Sequence, residues 1–326
     1  MTTVRVGFVA IGRNEGARLV ACLNSLIATG AGPVVYVDSG STDESVAAAQ
    51  ALGADVVRLD MSLPFTAARA RNAGAARLIA RGRPDHIQFV DGDCVLASGW
   101  IAAATKFLDA HPDVAVVCGR RRERFPEASV YNRLCDIEWD RPAGEALACG
   151  GDALFRADAF LSVGGYRESL IAGEEPELCL RLRERGLRIW RLGAEMTLHD
   201  AAMTRFAQWW KRSMRAGHAF AEVSMLHHGS PKRIWALETR RALVWASIAP
   251  AAALFALTIS PWALLALAAY PLQAARLWLS ARGRLGDDAA PYAAFSVIGK
   301  FAEAQGALRY FVNRFRRRRA GLIEYK

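Results

Sequence analysis

Phe89-Val90-Asp91-Gly92-Asp93 ends a short apolar run with two carboxylates that are two residues apart. Acidic side chains are rarely buried without a partner, so this pair in an apolar setting calls for a cation. Hard oxygen donors at this spacing suit Mg²⁺ or Mn²⁺, which take substrate phosphate oxygens as further ligands. The alternative is a solvated turn, because Asp-Gly is common in turns. The surrounding sequence indicates which of the two, a metal site or a solvated turn, is present.

Short apolar runs alternate with helical patterns before this stretch. The runs Val4–Ile11, Val34–Val37 and Asp55–Leu59 have the length of buried strands. Helical spacing of apolar residues fills Ala17–Ala28, and a second helix is expected to end at about Leu52. This alternation predicts an α/β protein with βαβ units and a parallel sheet. Ligands of such sheets bind beyond the carboxyl ends of the strands.

Polar side chains follow the predicted strands at those ends. Asn14 and Glu15 follow the first strand, Asp38 ends the second, and Asp91 and Asp93 follow the apolar run quoted above. A dinucleotide cofactor is disfavoured, because the turn after the first strand lacks the G-x-G-x-x-G pattern. A nucleotide whose phosphates are held by a metal fits this sequence better.

Several segments, in order along the chain, resemble the motifs of family 2 glycosyltransferases. The donor-side matches are Ala10–Glu15, Val37–Asp43, Ala70–Gly74 and Val90–Asp93, and the acceptor-side matches are Gly164–Glu168 and Gly173–Leu182. The similarity covers about residues 4–225. It implies the GT-A fold, with a Rossmann-like, mostly parallel sheet flanked by helices. It also implies an inverting enzyme of hexosyltransferase type that uses a nucleotide-diphosphate sugar and a divalent metal, Mg²⁺ or Mn²⁺.

The resemblance implies donor-side roles for five residues, Asn14, Glu15, Asp38, Arg71 and Asp91. Asp38 would bind the base or ribose of the nucleotide, and Asn14 and Glu15 would line the same pocket. Arg71 would approach the diphosphate. The alternative for Arg71 is a charge on a helix surface, where most arginines lie.

The resemblance also implies metal and acceptor roles. Asp91 would face the ribose and sugar of the donor, and Asp93 would coordinate the metal. His199 would supply another ligand or a phosphate contact, unless it is a satisfied polar residue at a strand end. Gly165 and Tyr166 would belong to the acceptor side.

Glu174 and Glu175 are the catalytic candidates, with Glu175 as the base. Inverting transfer needs a base for the proton of the acceptor hydroxyl, and an adjacent acidic pair raises one pKa. The family normally has Asp where Glu175 stands, which leaves open whether the longer side chain preserves activity. Pro176 fits the first turn of a helix that runs through Leu187. The alternative is that both glutamates only stabilise the helix N-terminus.

The segment Arg120–Asp152 is charged and aromatic, with irregular periodicity. The resemblance places it near the acceptor pocket, where its basic cluster could contact an anionic lipid carrier. Taken singly, however, each of Arg121, Arg122 and Arg124 is expected to be a solvated residue of a surface loop.

The charge of the chain is uneven. Residues 1–200 contain 23 basic and 26 acidic residues, whereas residues 201–326 contain 19 basic and 6 acidic residues. A basic region that is also apolar favours an anionic membrane surface over nucleic acid. The resemblance implies that Trp209 and Arg212, on a predicted helix, line the acceptor or donor site, with the acceptor side preferred; the alternative is an interfacial anchor. The six scattered cysteines predict reduced thiols on the cytosolic side.

The C-terminal third contains two apolar segments, Leu243–Ile259 and Trp262–Leu279. They predict a hydrophobic hairpin at about 242–280 whose arginine-flanked ends are both cytoplasmic. A re-entrant or interfacial hairpin and a buried helix pair are the alternatives. Apolar residues at alternating spacings of four and three then predict a basic amphipathic helix at about 291–319, lying in the headgroup region or packed on the catalytic domain.

The predicted organisation is therefore a glycosyltransferase domain at 1–225 and a membrane-associated helical region at 226–326. The predicted function is metal-dependent, inverting sugar transfer to a lipid-linked or membrane-borne acceptor, in envelope or exopolysaccharide synthesis. The catalytic domain would lie on the cytoplasmic side of the inner membrane, with no nucleic acid partner. One alternative is a catalytically degenerate sensor or scaffold that binds nucleotide sugars, which the glutamate at position 175 supports. The other is a nucleotidyltransferase, in which the Gly-Gly-Tyr and Glu-Glu motifs would have no evident purpose.

Overall fold

The computed structural model describes residues 5–318 together with 321 and 323. The chain divides into two compact units, Met1–Ala128 with Cys135–Ala202 and Ser129–Leu134 with Met203–Lys326. The predicted first strand begins at Val4 and the predicted amphipathic helix ends at 319. These two end positions lie outside the described residues.

The first unit is built on a sheet that has nine strands in the described part of the chain. They are β1 (Val6–Gly12), β2 (Val34–Asp38), β3 (Asp55–Arg58), β4 (His86–Asp91), β5 (Cys94–Leu96), β6 (Val114–Glu123), β7 (Gly144–Ala146), β8 (Ala153–Arg156) and β9 (Arg188–His199). The order across the sheet is β3-β2-β1-β4-β8-β6-β9-β5, and β7 pairs with β9.

In the described residues seven α-helices connect these strands. They are α1 (Ala17–Ile27), α2 (Ser45–Ala51), α3 (Ala67–Gly82), α4 (Trp100–Ala110), α5 (Val130–Trp139), α6 (Ala157–Ser162) and α7 (Glu174–Glu184). One of them, α5, begins within the second unit. Pro176 is the third residue of α7, where its missing N–H costs no helical hydrogen bond, as predicted.

The β3-β2-β1-β4 half of the sheet is parallel, because a helix returns the chain between each strand and the next. Val9, Val35 and Phe89 have no exposed surface, as expected for strands that are covered on both faces. The predicted α/β class is confirmed. The other half is mixed rather than parallel, since β8 pairs antiparallel with β4 and β6 while β6 and β9 are parallel.

This topology brings the ends of four strands to one edge of the sheet. In the parallel register Gly12 lies opposite Asp38, and Ile11 lies opposite Asp91. β8 is antiparallel to both β4 and β6, so β6 runs parallel to β4. β9 is parallel to β6 and therefore ends at the same edge as β4. There His199 pairs with Cys94, the first residue of β5. The strand ends singled out in the sequence are therefore neighbours.

The second unit consists mainly of four helices in the described residues. They are α8 (Phe206–Leu226), α9 (Ala236–Thr258), α10 (Ala269–Leu285) and α11 (Ala289–Phe315), and a 3₁₀ helix, Pro261–Ala268, joins α9 to α10. Gly217 and Gly306 allow the backbones of α8 and α11 to touch. A Cβ atom at Gly306 would lie 1.9 Å from the Met214 carbonyl oxygen, and one at Gly217 would lie 1.9 Å from that of Glu303.

The hydrophobic hairpin predicted at 242–280 corresponds to α9, the 3₁₀ helix and α10. Its two legs are joined by the hydroxyl of Tyr270, which donates to the Trp245 carbonyl (2.7 Å) and accepts from the Ala249 N–H (3.0 Å). This contact lies just before Pro250, which removes one hydrogen bond from the interior of α9. α9 is long and apolar enough to cross a membrane by length and composition, which is weak evidence for a span.

The boundary between the compact units differs from the predicted domain boundary. The second unit takes in α8, whereas the glycosyltransferase domain is predicted to reach residue 225. Compactness measures packing and not function, so the functional boundary stays a prediction.

Candidate functional site

The loops after β1 and β2 are tied together through Asn14. Its N–H donates to Ser41 Oγ (2.9 Å), and its Oδ1 accepts from the Thr42 N–H (2.7 Å). The residue has a φ of 56°, a left-handed conformation that asparagine adopts more readily than most residues. Glu15, next in the chain, pairs with Arg18 at 2.7 Å. The contact of Asn14 and Glu15 with a nucleotide stays a prediction.

Asp38 stabilises the loop that follows β2. It is 4% exposed and accepts hydrogen bonds from the Tyr36 hydroxyl (3.1 Å) and from the N–H groups of Gly40 and Ser41 (both 3.1 Å). A carboxylate has about four acceptor positions, so these bonds use most of its capacity. Asp38 thus fixes the shape of the loop after β2, and its predicted contact with base or ribose would have to share these oxygens.

Arg71 joins the donor-side strand end to the catalytic candidates. It lies on α3, is 3% exposed, and donates from Nη2 to Asp91 Oδ1 and from Nη1 to Glu174 Oε1, both at 2.6 Å. It is therefore not a charge on a helix surface. Burial disfavours the charged guanidinium, but the two carboxylates outweigh burial and raise the pKa of Arg71 above its usual range. Its contact with a diphosphate stays a prediction.

Asp91 remains ionised in this network. Burial alone would raise its pKa, but Arg71 and Arg121 lower the pKa of Asp91 to about 2. Gly151 makes the arrangement sterically feasible, since a Cβ atom there would lie 2.7 Å from both Arg71 Nη2 and Asp91 Oδ2. A side chain at position 151 would therefore require Arg71 and Asp91 to shift.

A second buried pair, Arg121 with Asp152, was not predicted. Asp152 is fully buried; its Oδ2 forms an ion pair with Arg121 Nη2 and accepts from the Thr197 hydroxyl, and its Oδ1 accepts from the Asp91 N–H, each at 2.9 Å. The expectation that Arg121 is a solvated loop residue is wrong, because it lies within β6 and faces β8 with only 15% of its side chain exposed. The available signal was an aspartate placed after Gly150-Gly151 and before an apolar run.

Asp93 and His199 form the candidate metal centre. Both are 7% exposed, and Asp93 Oδ2 lies 3.4 Å from His199 Nε2. Ligand atoms of these two residues and of Cys94 all lie within 4.8 Å of one another. A carboxylate oxygen and an imidazole nitrogen on adjacent strand ends form a donor set that fits a divalent metal. Burial raises the pKa of Cys94 well above its usual range, so its thiol stays protonated beside them.

Glu123, at the end of β6, lies on the far side of His199 and was not predicted. Its Oε2 is 3.6 Å from His199 Nδ1, and its carboxylate accepts from the N–H groups of Ala201 (3.0 Å) and Phe125 (3.2 Å). Carboxylates in this position orient ligating histidines in metalloproteins. The ring of Trp139 packs edge-on against the imidazole at 4.8 Å.

Glu175 occupies the first turn of α7 and is 2% exposed. Its Oε1 accepts from the Cys149 N–H (2.7 Å) and the Cys179 thiol (2.9 Å). Its Oε2 is buried and has no hydrogen-bond partner among the described residues. Burial is the largest cause that raises the pKa of Glu175, and the neighbouring Glu174 adds to it. The sequence indicated only the effect of Glu174 on this pKa.

Gly165 and Tyr166 form a turn that Asn72 holds. The Tyr166 N–H donates to Asn72 Oδ1 (2.9 Å), and Asn72 Nδ2 donates to the Tyr166 carbonyl (2.8 Å). Gly165 has a φ of 69°, and a Cβ atom there would lie 2.8 Å from Asn72 Oδ1. The Tyr166 ring is buried, with the Arg71 guanidinium 5.6 Å from its centre. It therefore supports Arg71, and its acceptor role stays a prediction.

Trp209 and Arg212 lie on α8 in the second unit. The Trp209 ring is 6% exposed and packs against Phe295 of α11 with 4.8 Å between ring centres. Trp209 therefore serves the packing of its own unit. The acceptor-side roles of these two residues stay predictions.

Comparisons with known proteins agree with this architecture. Residues 9–158 match the family model described as Glycosyl transferase family 2. No curated protein sequence matches the chain. Mannosyltransferase PcManGT from Pyrobaculum calidifontis, solved with GDP-Man and Mn²⁺, is 18% identical with a TM-score of 0.61, over 93% of this chain and 87% of that one.

A second solved structure, S. aureus TarS 1–349, is 14% identical with a TM-score of 0.54, over 96% of this chain and 92% of that one. Its complex with UDP-GlcNAc is 13% identical with a TM-score of 0.51, over 97% and 93%. At these identities the likeness shows a shared fold, which is the GT-A arrangement of a central sheet flanked by helices.

Proposed function

We propose that this chain, whose residues 9–158 match the model of glycosyl transferase family 2, transfers a hexosyl group, with inversion, from a nucleotide-diphosphate sugar to a membrane-borne acceptor. The observation that carries the proposal is the meeting of strand ends at one edge of the sheet. It brings Asp38, Asp91, Asp93 and His199 together beside the paired glutamates of α7. Such an edge is where α/β sheets bind nucleotides.

On the donor side, the folded loops of Asn14 and Asp38 would receive the nucleoside. Asp93 and His199 would hold Mg²⁺ or Mn²⁺, which supplies positive charge to the diphosphate leaving group. Arg71 keeps Asp91 ionised and fixed at 2.6 Å, so the Asp91 carboxylate can accept hydrogen bonds from ribose or sugar hydroxyls. The Arg71 guanidinium and the Asp91 carboxylate are thus held in place before the donor binds. Preorganised sites stabilise developing charge in this way.

On the acceptor side, Glu175 would act as the base. The acceptor hydroxyl oxygen bonds to C1 of the sugar from the face opposite the diphosphate, its proton passes to Glu175 Oε2, and the C1–O bond to the diphosphate breaks. The electron pair of that bond leaves with the diphosphate. Burial raises the pKa of Glu175, which moves it towards the working pH that an efficient base needs.

The membrane would be the location of the acceptor. The hairpin exposes large apolar side chains near its tip, among them Leu257 (85%), Ile259 (70%) and Trp262 (75%). Arginines stand on both sides of this apolar stretch, at positions 240, 241, 276, 282 and 284. Exposed apolar residues flanked by positive charge fit the cytoplasmic leaflet, whose lipids are partly anionic. By proximity alone, that location supports a lipid-linked acceptor of envelope or exopolysaccharide synthesis.

Release of nucleoside diphosphate tests the proposal. The detergent-purified chain is incubated with Mn²⁺, vesicles of bacterial lipid extract, and GDP-mannose, UDP-glucose or UDP-N-acetylglucosamine in turn. Release from at least one donor is expected, together with its loss in Asp93→Ala and its retention in the control Asp109→Ala, an exposed site on α4. Equal, Mn²⁺-dependent release by Asp93→Ala would contradict the assigned metal site.

A further inference from the structure

The proposed base is held by a second side chain of its own helix. Cys179 lies four residues after Glu175 on α7, and residues at this spacing share one face of a helix. We propose that Cys179 is a positioning residue, whose thiol donates to Glu175 Oε1 and thereby presents Oε2 to the acceptor hydroxyl. This inference rests on the proposed function.

The geometry assigns the two oxygens of Glu175 to different tasks. Oε1 accepts from the Cys179 thiol at 2.9 Å and from the Cys149 N–H at 2.7 Å. A carboxylate oxygen has two acceptor positions, so these two donors occupy Oε1. They come from different segments, α7 and the loop before β8, and together they prevent rotation of the carboxylate. Oε2 is left buried and without a partner among the described residues, so it is the oxygen that can take a proton.

The thiol is a donor across the working pH range. Burial is the largest cause that raises the pKa of Cys179, to about 12, so the sulfur keeps its proton at neutral pH. The titratable groups that face Glu175 are Glu174 and Cys179 on α7, Cys149 before β8, and Tyr166. Burial of Tyr166 raises its pKa well above its usual range, and burial does the same for Cys149. Neither of them titrates near neutrality.

Removal of the donor has a predictable sign. A hydrogen bond to the carboxylate stabilises its charged form, and the Cys179 thiol thereby lowers the pKa of Glu175 against the effect of burial. Without the thiol the base would hold its proton to higher pH. Because the bond goes to a charged group but sulfur is a weak donor, the acid limb of the rate profile should move up by about one pH unit.

The experiment measures kcat/KM between pH 5 and 9 for wild type, Cys179→Ala and Cys179→Ser, with the donor and vesicles that support release of nucleoside diphosphate. Cys179→Ala should shift the acid limb upward and lower kcat, with an unchanged KM for the donor. Cys179→Ser, which keeps a donor at this position, should keep the wild-type limb. If Cys179→Ala fails to fold, Cys179→Val replaces it, because valine fills the volume without donating.

Two outcomes would overturn the inference. In one, the pH profile of kcat/KM for Cys179→Ala, or for Cys179→Val in its place, superimposes on that of wild type. In the other, Cys179→Ser moves as far as Cys179→Ala, which would assign the effect to packing. Failure of the proposed function is distinguishable, because Glu175→Gln would then retain turnover. An inactive Glu175→Gln with an unmoved Cys179→Ala profile would reject the positioning role alone.

Discussion

At the residue scale, the site depends on buried charges that face one another across elements. Arg71 touches Asp91 on β4 and Glu174 on α7, so one guanidinium links the donor side with the helix that carries the proposed base. Glu175, one residue further, avoids this ion pair and is held by neutral donors instead. Two adjacent glutamates thus have opposite environments, one neutralised by a cation and one kept basic by burial.

Replacement of Glu175 by glutamine should separate chemistry from binding. Glu175→Gln cannot take up the acceptor proton, so turnover should fall by roughly 10²- to 10⁴-fold, the usual contribution of a general base. Donor affinity with Mn²⁺, measured by calorimetry, should stay within about twofold of wild type, because a glutamine keeps the acceptor oxygen for Cys149 and Cys179. Glu184→Gln, at the other end of α7, is the matched control. Normal turnover of Glu175→Gln would remove the base from this position.

The sequence located the candidate residues better than it located their partners. Asp38, Asp91, Asp93 and His199 could be singled out because strand ends and motif order are local features, and the sheet does bring them together. The network around them could not be predicted, since Asp152 meets Arg121 only through the pairing of β8 with β6. Glu123 meets His199 through the parallel register of β6 and β9, which is equally non-local.

At the scale of elements, the second unit depends on the crossing of α8 and α11. Gly217 and Gly306 face the opposing backbone there, and backbone atoms cannot move aside as a flexible side chain can. The sequence predicted the apolar stripe of α11, but a glycine within a helix gives no sign of which element it contacts. The crossing therefore emerged only from the structure.

Substitution of Gly306 by alanine should destabilise the second unit. The added Cβ atom would lie 1.9 Å from the Met214 carbonyl oxygen and 2.7 Å from the His218 nitrogen, so the two helices must separate. Overpacking of this kind costs about 1–3 kcal/mol, and the apparent melting temperature of the detergent-purified protein should fall accordingly.

Gly299→Ala on the same helix is the matched control. Its Cβ atom would meet only the Trp209 ring, at 3.6 Å, which is ordinary contact. That variant should be neutral or more stable by up to about 1 kcal/mol, because alanine favours the helix over glycine. Equal melting temperatures for Gly306→Ala and wild type would show that the helices do not cross as described.

At the scale of the whole molecule, the chain combines a GT-A fold, in which residues 9–158 match the model of glycosyl transferase family 2, with a basic and apolar helical unit. The hairpin tip is where membrane contact should be tested. The chain should float with vesicles that contain phosphatidylglycerol, and less with neutral phosphatidylcholine or at high salt, since anionic headgroups attract its arginines. Leu257→Asp with Trp262→Ser should weaken flotation at least tenfold, because burial of one large apolar side chain contributes about 1.5–3 kcal/mol.

Leu63→Asp serves as the control for flotation, because Leu63 is an exposed leucine (54%) of the first unit. It should float like wild type. Unchanged flotation of the Leu257→Asp, Trp262→Ser variant would show that the hairpin tip is not the membrane contact.

In the function that we propose, the meeting of strand ends forms a metal-dependent nucleotide-sugar site. Thermal unfolding of the purified chain with Mn²⁺ and each of a panel of nucleotide sugars tests it most directly, since a ligand that binds only the folded state raises the apparent melting temperature. We predict a rise of several degrees with at least one nucleotide sugar, lost without Mn²⁺ and lost in Asp93→Ala. A melting temperature that no nucleotide sugar changes would show that the strand ends do not form a nucleotide-sugar site.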